Sequence, residues 1–127
     1  MCGEMSTPVC CTLRIGLRRE EAFWGPGVAQ LLHGIAQKNS LRAAAQQMGI
    51  SYSKAWKIIH DAGNGLEFQL IESASGGMQG GGSYLTEAAK HLLYAYDAMV
   101  DEVEAVMHLA YDRHMKAVIQ SEEIHSV

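Results

Sequence analysis

The segment from Asn39 to His60, NSLRAAAQQMGISYSKAWKIIH, constrains the fold of this chain more than any other. Ser40 is a favourable N-cap for the strong helix former LRAAAQQM, and Gly49 can take the left-handed conformation that ends a helix. Ser51 then caps a second helix, predicted over 51–63 and ended by the GNG run there. Two short helices with small alanines at their crossing are typical of a helix-turn-helix. An ordinary helical hairpin within a core is the alternative.

The charge of the chain is distributed unevenly along the sequence. The whole chain carries −4, but residues 1–60 carry +4 and residues 61–127 carry −8. No acidic residue occurs between Ala22 and His60, where four basic residues lie. A chance fluctuation on a solvated face would explain this, and so would a surface that must approach polyanionic phosphate.

A helix-turn-helix places its second helix in the DNA major groove, amino end first. Lysine and serine there can contact bases or phosphate, and residues of the preceding helix can contact the backbone. Any of these residues could instead be an ordinary solvated one. Trp56 is expected to pack against the domain. The candidate DNA-binding residues are Ser40, Arg42 and Gln46 before the turn, and Ser51, Tyr52, Ser53, Lys54, Lys57 and His60 after it.

The flanking segments predict a hairpin before these helices and a wing after them. TLRIGLRR alternates as a half-buried strand does, AFW can return beside it, and Pro26 can open a helix. The strand FQLIE, the glycine-rich loop 74–83 with Gln79, and YLT together form the predicted wing. Gly77 and Gly82 have the separation of a phosphate-binding loop, but Ser83 stands where that motif needs lysine, so nucleotide binding is not expected.

A long final helix is predicted over 86–119, capped by Thr86, with a frayed tail at 120–127. Apolar residues along this helix step by four and three, which is the spacing of a heptad-like seam. The seam predicts a dimer interface remote from DNA. Its residues are Leu92, Tyr96, Met99, Val103, Val106 and Ala110.

Other classes of protein find little support in the sequence. No apolar run reaches the roughly 18 residues of a membrane span, and no signal peptide is evident, so a cytoplasmic location is expected. The cysteines at 2, 10 and 11 are expected to be reduced, and the six histidines are too scattered to suggest a metal site. No nucleophile lies beside a base in a recognisable pattern, so we expect no catalysis, no cofactor and no metal.

From Leu13 to about Met99 the chain resembles the N-terminal winged helix domain of ModE-type molybdate-responsive regulators, which is related to the LysR type. The resemblance lies in SLRAAAQQMGISYSKAWKIIHDAGN, in LIESASGGMQGGGSYLTEAAKHLLYAYDAM and in the hairpin before FWGPG. It implies a dimeric DNA-binding transcriptional regulator. The implied base-reading residues are Tyr52, Ser53, Lys54 and Lys57, with the wing from Ser75 to Ser83 on the backbone.

Together these features predict a mainly α fold with a small β wing. We expect a flexible N-terminus (1–9), a winged helix-turn-helix domain (10–85), the dimerisation helix and the tail. The expected partners are double-stranded DNA with a near-palindromic operator and a second copy of the chain, without a membrane. The chain ends before an oxyanion-binding region could form, so molybdate binding is not expected. A winged-helix module that binds proteins or senses a small ligand, without binding DNA, remains the alternative.

Overall fold

A computed structural model describes residues 7–73 and 82–125. Two compact units are present: one runs from Arg14 to Asp97, and the other combines the chain up to Leu13 with the chain from Ala98. The fold is mainly helical, as predicted, with short antiparallel strand pairs. No helix among the described residues is both long and apolar enough to span a membrane.

A small hairpin opens the first unit. Its strands are β1 (Leu17–Arg18) and β2 (Ala22–Trp24), and Leu17 pairs with Trp24. Residues 12–18 keep the predicted alternation of exposed and half-buried side chains, although only the last two of them are paired. The hairpin brings the Trp24 side chain into the core, where it is 3% exposed.

Three helices form the core of this unit: α1 (Pro26–Lys38), α2 (Leu41–Met48) and α3 (Tyr52–Leu66). The left-handed backbone of Asn39 ends α1, and that of Gly49 ends α2. Small residues let α1 and α2 pack closely, because a Cβ atom on Gly34 would lie only 3.0 Å from that of Ala44. The buried side chains include Leu31, Leu32 and Ile35 of α1, Leu41, Ala44 and Ala45 of α2, and Ala55, Ile59 and Ala62 of α3.

Helix α3 is longer than the predicted 51–63. It continues to Leu66, and the left-handed backbone of Glu67 (φ 70°) ends it. Gly65 therefore does not stop the helix. A Cβ atom at this position would overlap the ring of Phe23, so the glycine instead allows the hairpin to pack against α3.

The base of the wing is an antiparallel pair of β3 (Ile71–Ser73) and β4 (Ser83–Leu85), in which Ile71 pairs with Leu85. The predicted strand FQLIE thus begins pairing later than expected. The amide of Ser83 donates to the carbonyl oxygen of Asn39 over 3.1 Å and so joins the wing to the end of α1. Most of the glycine-rich loop, with Gln79, lies outside the described residues.

The predicted final helix over 86–119 is divided in two. Thr86 caps α4 (Glu87–His114), as predicted, since its Oγ accepts the Ala89 amide over 3.1 Å. Met115 separates α4 from α5 (Lys116–His125), which occupies much of the predicted frayed tail. No glycine or proline follows Thr86 to stop a helix, and this explains why helical structure extends past 119.

Candidate nucleic-acid interface

The amino end of α3 is uncovered within its unit. Residues 51–54 are all exposed, and the Ser51 hydroxyl accepts the backbone amide of Lys54 over 3.0 Å. The remaining amides of a first helical turn have no partner within the helix, and the helix dipole adds partial positive charge there. The side chains of Ser53 and Lys54 stand at the same end, so this surface is suited to binding an anion.

Arg42 and Tyr52 connect the two helices of the motif. The Arg42 guanidinium lies 4.4 Å from the centre of the Tyr52 ring, in a cation–π contact. Tyr52 is nevertheless 41% exposed, and Arg42 is exposed as well. The contact places Arg42 of α2 against the first residue of α3.

The other predicted residues of α2 differ in what their side chains do. Ser40 is half-buried, and its hydroxyl accepts the amide of Ala43 over 3.0 Å, so it serves as the N-cap of α2. Gln46 is exposed, two residues before the end of the helix. The structure therefore gives Ser40 a local structural role and leaves Gln46 accessible.

Lys57 is exposed on α3 and forms an ion pair within its own helix. Its Nζ atom lies 2.7 Å from Oδ2 of Asp61, one turn further along the helix. The hydrogen bond to Asp61, and then its negative charge, raise the pKa of Lys57. Asp61 is the first acidic residue after the acid-free segment. Because of this ion pair, the positive charge of Lys57 is partly neutralised before any DNA binds.

The prediction that Trp56 packs against the domain is wrong. Its side chain is 47% exposed, because the inward face of α3 is taken by Ala55, Ile59 and Ala62. Trp56 stacks instead on His60, with ring centres 3.6 Å apart and planes 18° from parallel. The Nδ1 atom of His60 also lies 2.9 Å from the Trp56 carbonyl oxygen. Sequence spacing alone does not distinguish an exposed aromatic side chain beside the core face from a buried one.

A cleft of about 360 Å³ borders the carboxyl-terminal half of α3. Its lining includes His60 and Asn64 from the helix and Phe68 and Leu70 from the chain leading into β3. Among residues 7–73 and 82–125, no group of three His, Cys, Asp or Glu side chains is arranged to hold a metal ion. Cys10 and Cys11 are both free thiols.

The predicted dimer seam is only partly available. Tyr96 is 5% exposed and belongs to the core of its own chain, where its ring meets that of Trp24 edge-on at 5.3 Å. Its hydroxyl donates to the carbonyl oxygen of Ile15 over 2.6 Å, so it is unavailable to a partner. The reason is that the first turns of α4 complete the core of the first unit. Of the other seam residues, Met99, Val103 and Val106 are exposed, and Leu92 and Ala110 are half-buried. Leu109, which the predicted seam did not include, is exposed as well.

Comparison with known proteins gives relatives for about 70% of the chain. The molybdenum transport protein ModE of Herbaspirillum seropedicae is 48% identical over 88 residues, which are 69% of this chain and 31% of that protein. The DNA-binding transcriptional dual regulator ModE of Escherichia coli K12 is 34% identical over 95 residues, which are 75% and 35% of the two chains. The chain thus spans about a third of the length of these relatives. None of the protein-family models compared with the sequence matches it.

Two solved structures share this fold at low sequence identity. The DNA-binding domain of CbnR, solved in complex with DNA, matches with a TM-score of 0.56 and 15% identity, over 68% of this chain and 94% of that one. A LysR family transcriptional regulator matches with a TM-score of 0.54 and 12% identity, over 71% of this chain and 30% of that one. Over roughly its first 70%, this chain is therefore a homologue of ModE-type molybdenum-responsive regulators, and it has the winged helix fold of LysR-type DNA-binding domains.

Proposed function

We propose that this chain is a sequence-specific transcriptional regulator that binds double-stranded DNA. The observation that carries the proposal is the uncovered amino end of α3, with Tyr52, Ser53 and Lys54 exposed beside it. Two of the similar proteins add support by their descriptions, since one is a DNA-binding transcriptional regulator and the other was solved with DNA. No catalytic step is part of the proposal.

In this proposal α3 enters the major groove and α2 lies across the backbone. Ser53 and Lys54 reach base edges or phosphate from the first turn of α3. The Arg42 guanidinium uses its face on the Tyr52 ring, which leaves its in-plane N–H groups for phosphate oxygens. Arg42 therefore contacts the first turn of α3 and also adds affinity for DNA that does not depend on the DNA sequence.

We also propose that two copies of the chain associate through α4. The exposed apolar residues from Met99 to Leu109 are the candidates, because Tyr96 is already buried in its own chain. A symmetric dimer would present two recognition helices one DNA turn apart, ~34 Å, so a near-palindromic operator is expected. Sedimentation at micromolar concentration should find a dimer and, for Val106→Glu, a monomer. A wild-type monomer would contradict this part of the proposal.

A gel shift with random-sequence duplex at 50 and 200 mM salt tests DNA binding itself. A protein that neutralises several phosphates loses affinity steeply as salt rises, with a slope of about −0.9 per phosphate. We expect binding at the lower concentration and a marked loss at the higher one. No binding at either concentration would favour the alternative, a winged-helix module that contacts proteins or a small ligand in the cleft beside α3.

A further inference from the structure

Trp56 is held in place on α3 although it contributes nothing to the inward face of that helix. Stacking against His60 covers one face of its indole ring. The other tryptophan of the chain differs, because Trp24 lies in the core and is only 3% exposed. The hydrogen bond from His60 Nδ1 to the Trp56 carbonyl fixes the imidazole in turn. One face of the Trp56 indole is therefore covered by its own helix, while 47% of the residue remains exposed.

This arrangement reduces the entropy that binding would cost. A free side chain loses rotamer freedom when a partner immobilises it, whereas one that is already stacked loses less. Tryptophan and tyrosine are also enriched among the residues that dominate binding energy at interfaces. Trp56 is the fifth residue of α3, one turn after Tyr52, and so lies within the part of a recognition helix that reaches base edges.

The chemistry of indole limits what it can recognise in the major groove. Indole has one N–H donor and no acceptor, and the rest of its surface is apolar. The major groove edge of DNA carries donors and acceptors, and its apolar feature is the C5-methyl group of thymine. We propose that Trp56 is a specificity-determining residue that contacts the methyl group of thymine, and that His60 is the residue that positions its ring.

The proposal rests on the proposed function, and its test separates the two. Wild-type protein would first select its preferred sites from a randomised duplex library. Each thymine in a selected site would then be replaced by deoxyuridine, which removes only the methyl group. For the wild type we expect about a four-fold loss of affinity at one or two positions, the value of one buried methyl group. Trp56→Ala should bind the thymine and deoxyuridine duplexes equally at those positions.

Three further variants test the role of His60 and the need for an indole ring, and circular dichroism guards against misfolding. His60→Phe keeps an aromatic ring stacked on the indole and should retain the methyl discrimination, whereas His60→Ala should lose most of it. Trp56→Phe keeps an apolar ring and should retain part of the effect. Circular dichroism should find all four variants folded, because both side chains lie outside the buried core.

The outcomes that overturn the proposal are distinct. If wild type and Trp56→Ala suffer the same deoxyuridine penalty, another residue contacts the methyl group. If Trp56→Ala weakens every duplex equally and no position depends on a methyl group, the indole contacts the backbone. In both cases the protein still binds DNA, but the proposed contact between Trp56 and the thymine methyl group is refuted. If the wild type selects no duplex at all, the proposed function fails together with this inference.

Discussion

The ion pair between Lys57 and Asp61 allows a quantitative test of the proposed DNA contact. Lys57 Nζ lies 2.7 Å from the Asp61 carboxylate, and the side chains are 73% and 53% exposed, so the pair can open when a phosphate approaches. If Lys57 contacts one phosphate, Lys57→Ala should flatten the slope of log K against log salt by about 0.9. The affinity ratio of wild type to variant should then shrink about 3.5-fold between 50 and 200 mM salt.

A matched control distinguishes a phosphate contact from a general effect of charge. Lys90 on α4 also forms an exposed ion pair within its helix, with Glu87 at 3.0 Å, so Lys90→Ala makes the same chemical change outside the helix-turn-helix. Asp61→Asn frees Lys57 and should tighten binding. Fluorescence anisotropy of a labelled 30-base-pair duplex over four salt concentrations would measure the slopes. Equal slopes for the Lys57 and Lys90 variants would refute the contact.

Three predictions concern stability and are checked by thermal and denaturant unfolding. Ser51→Ala removes the cap of α3 and should lower the free energy of unfolding by about 1 kcal/mol, whereas Ser53→Ala, two residues further on and not a cap, should lower it much less. Gly65→Ala should destabilise the protein by about 1–3 kcal/mol, because the new methyl group would overlap the ring of Phe23, although alanine is the better helix former. Gly27→Ala is the control, since its surroundings are open, and it should be neutral or stabilising. A change in stability of the same sign at both sites would contradict the packing role of Gly65. Burial, and then the charge of Asp97, raise the pKa of Tyr96, so the folded state holds that proton more tightly than the unfolded one; stability should fall as pH rises through and above about 10, and Tyr96→Phe should remove that part of the fall.

Local signals explain why much of the fold was predictable from the sequence. A cap acts on amides two or three residues away, so Ser51 and Thr86 mark helix starts without knowledge of the tertiary structure. The same holds for Gly49, whose left-handed backbone needs no distant partner. These residues defined the helix-turn-helix and the start of α4 correctly.

The features that were missed depend on contacts between distant segments. Gly65 resembles a helix stop in the sequence, and only its contact with Phe23 reveals a packing role. Tyr96 fits an apolar seam by spacing, but spacing does not tell whether its own core or a partner covers that face. Trp56 lies next to the buried face of α3, where a small rotation of the helix about its axis would decide whether the side chain is buried or exposed, and sequence spacing does not fix that rotation.

The central claim is that the uncovered amino end of α3 meets DNA. Photo-crosslinking from a benzophenone amino acid at position 53, compared with the same residue at the exposed position 101 on α4, tests it most directly. We expect duplex DNA to be crosslinked from position 53 and not from position 101. Bound duplex that is crosslinked from position 101, or from neither site, would contradict the claim.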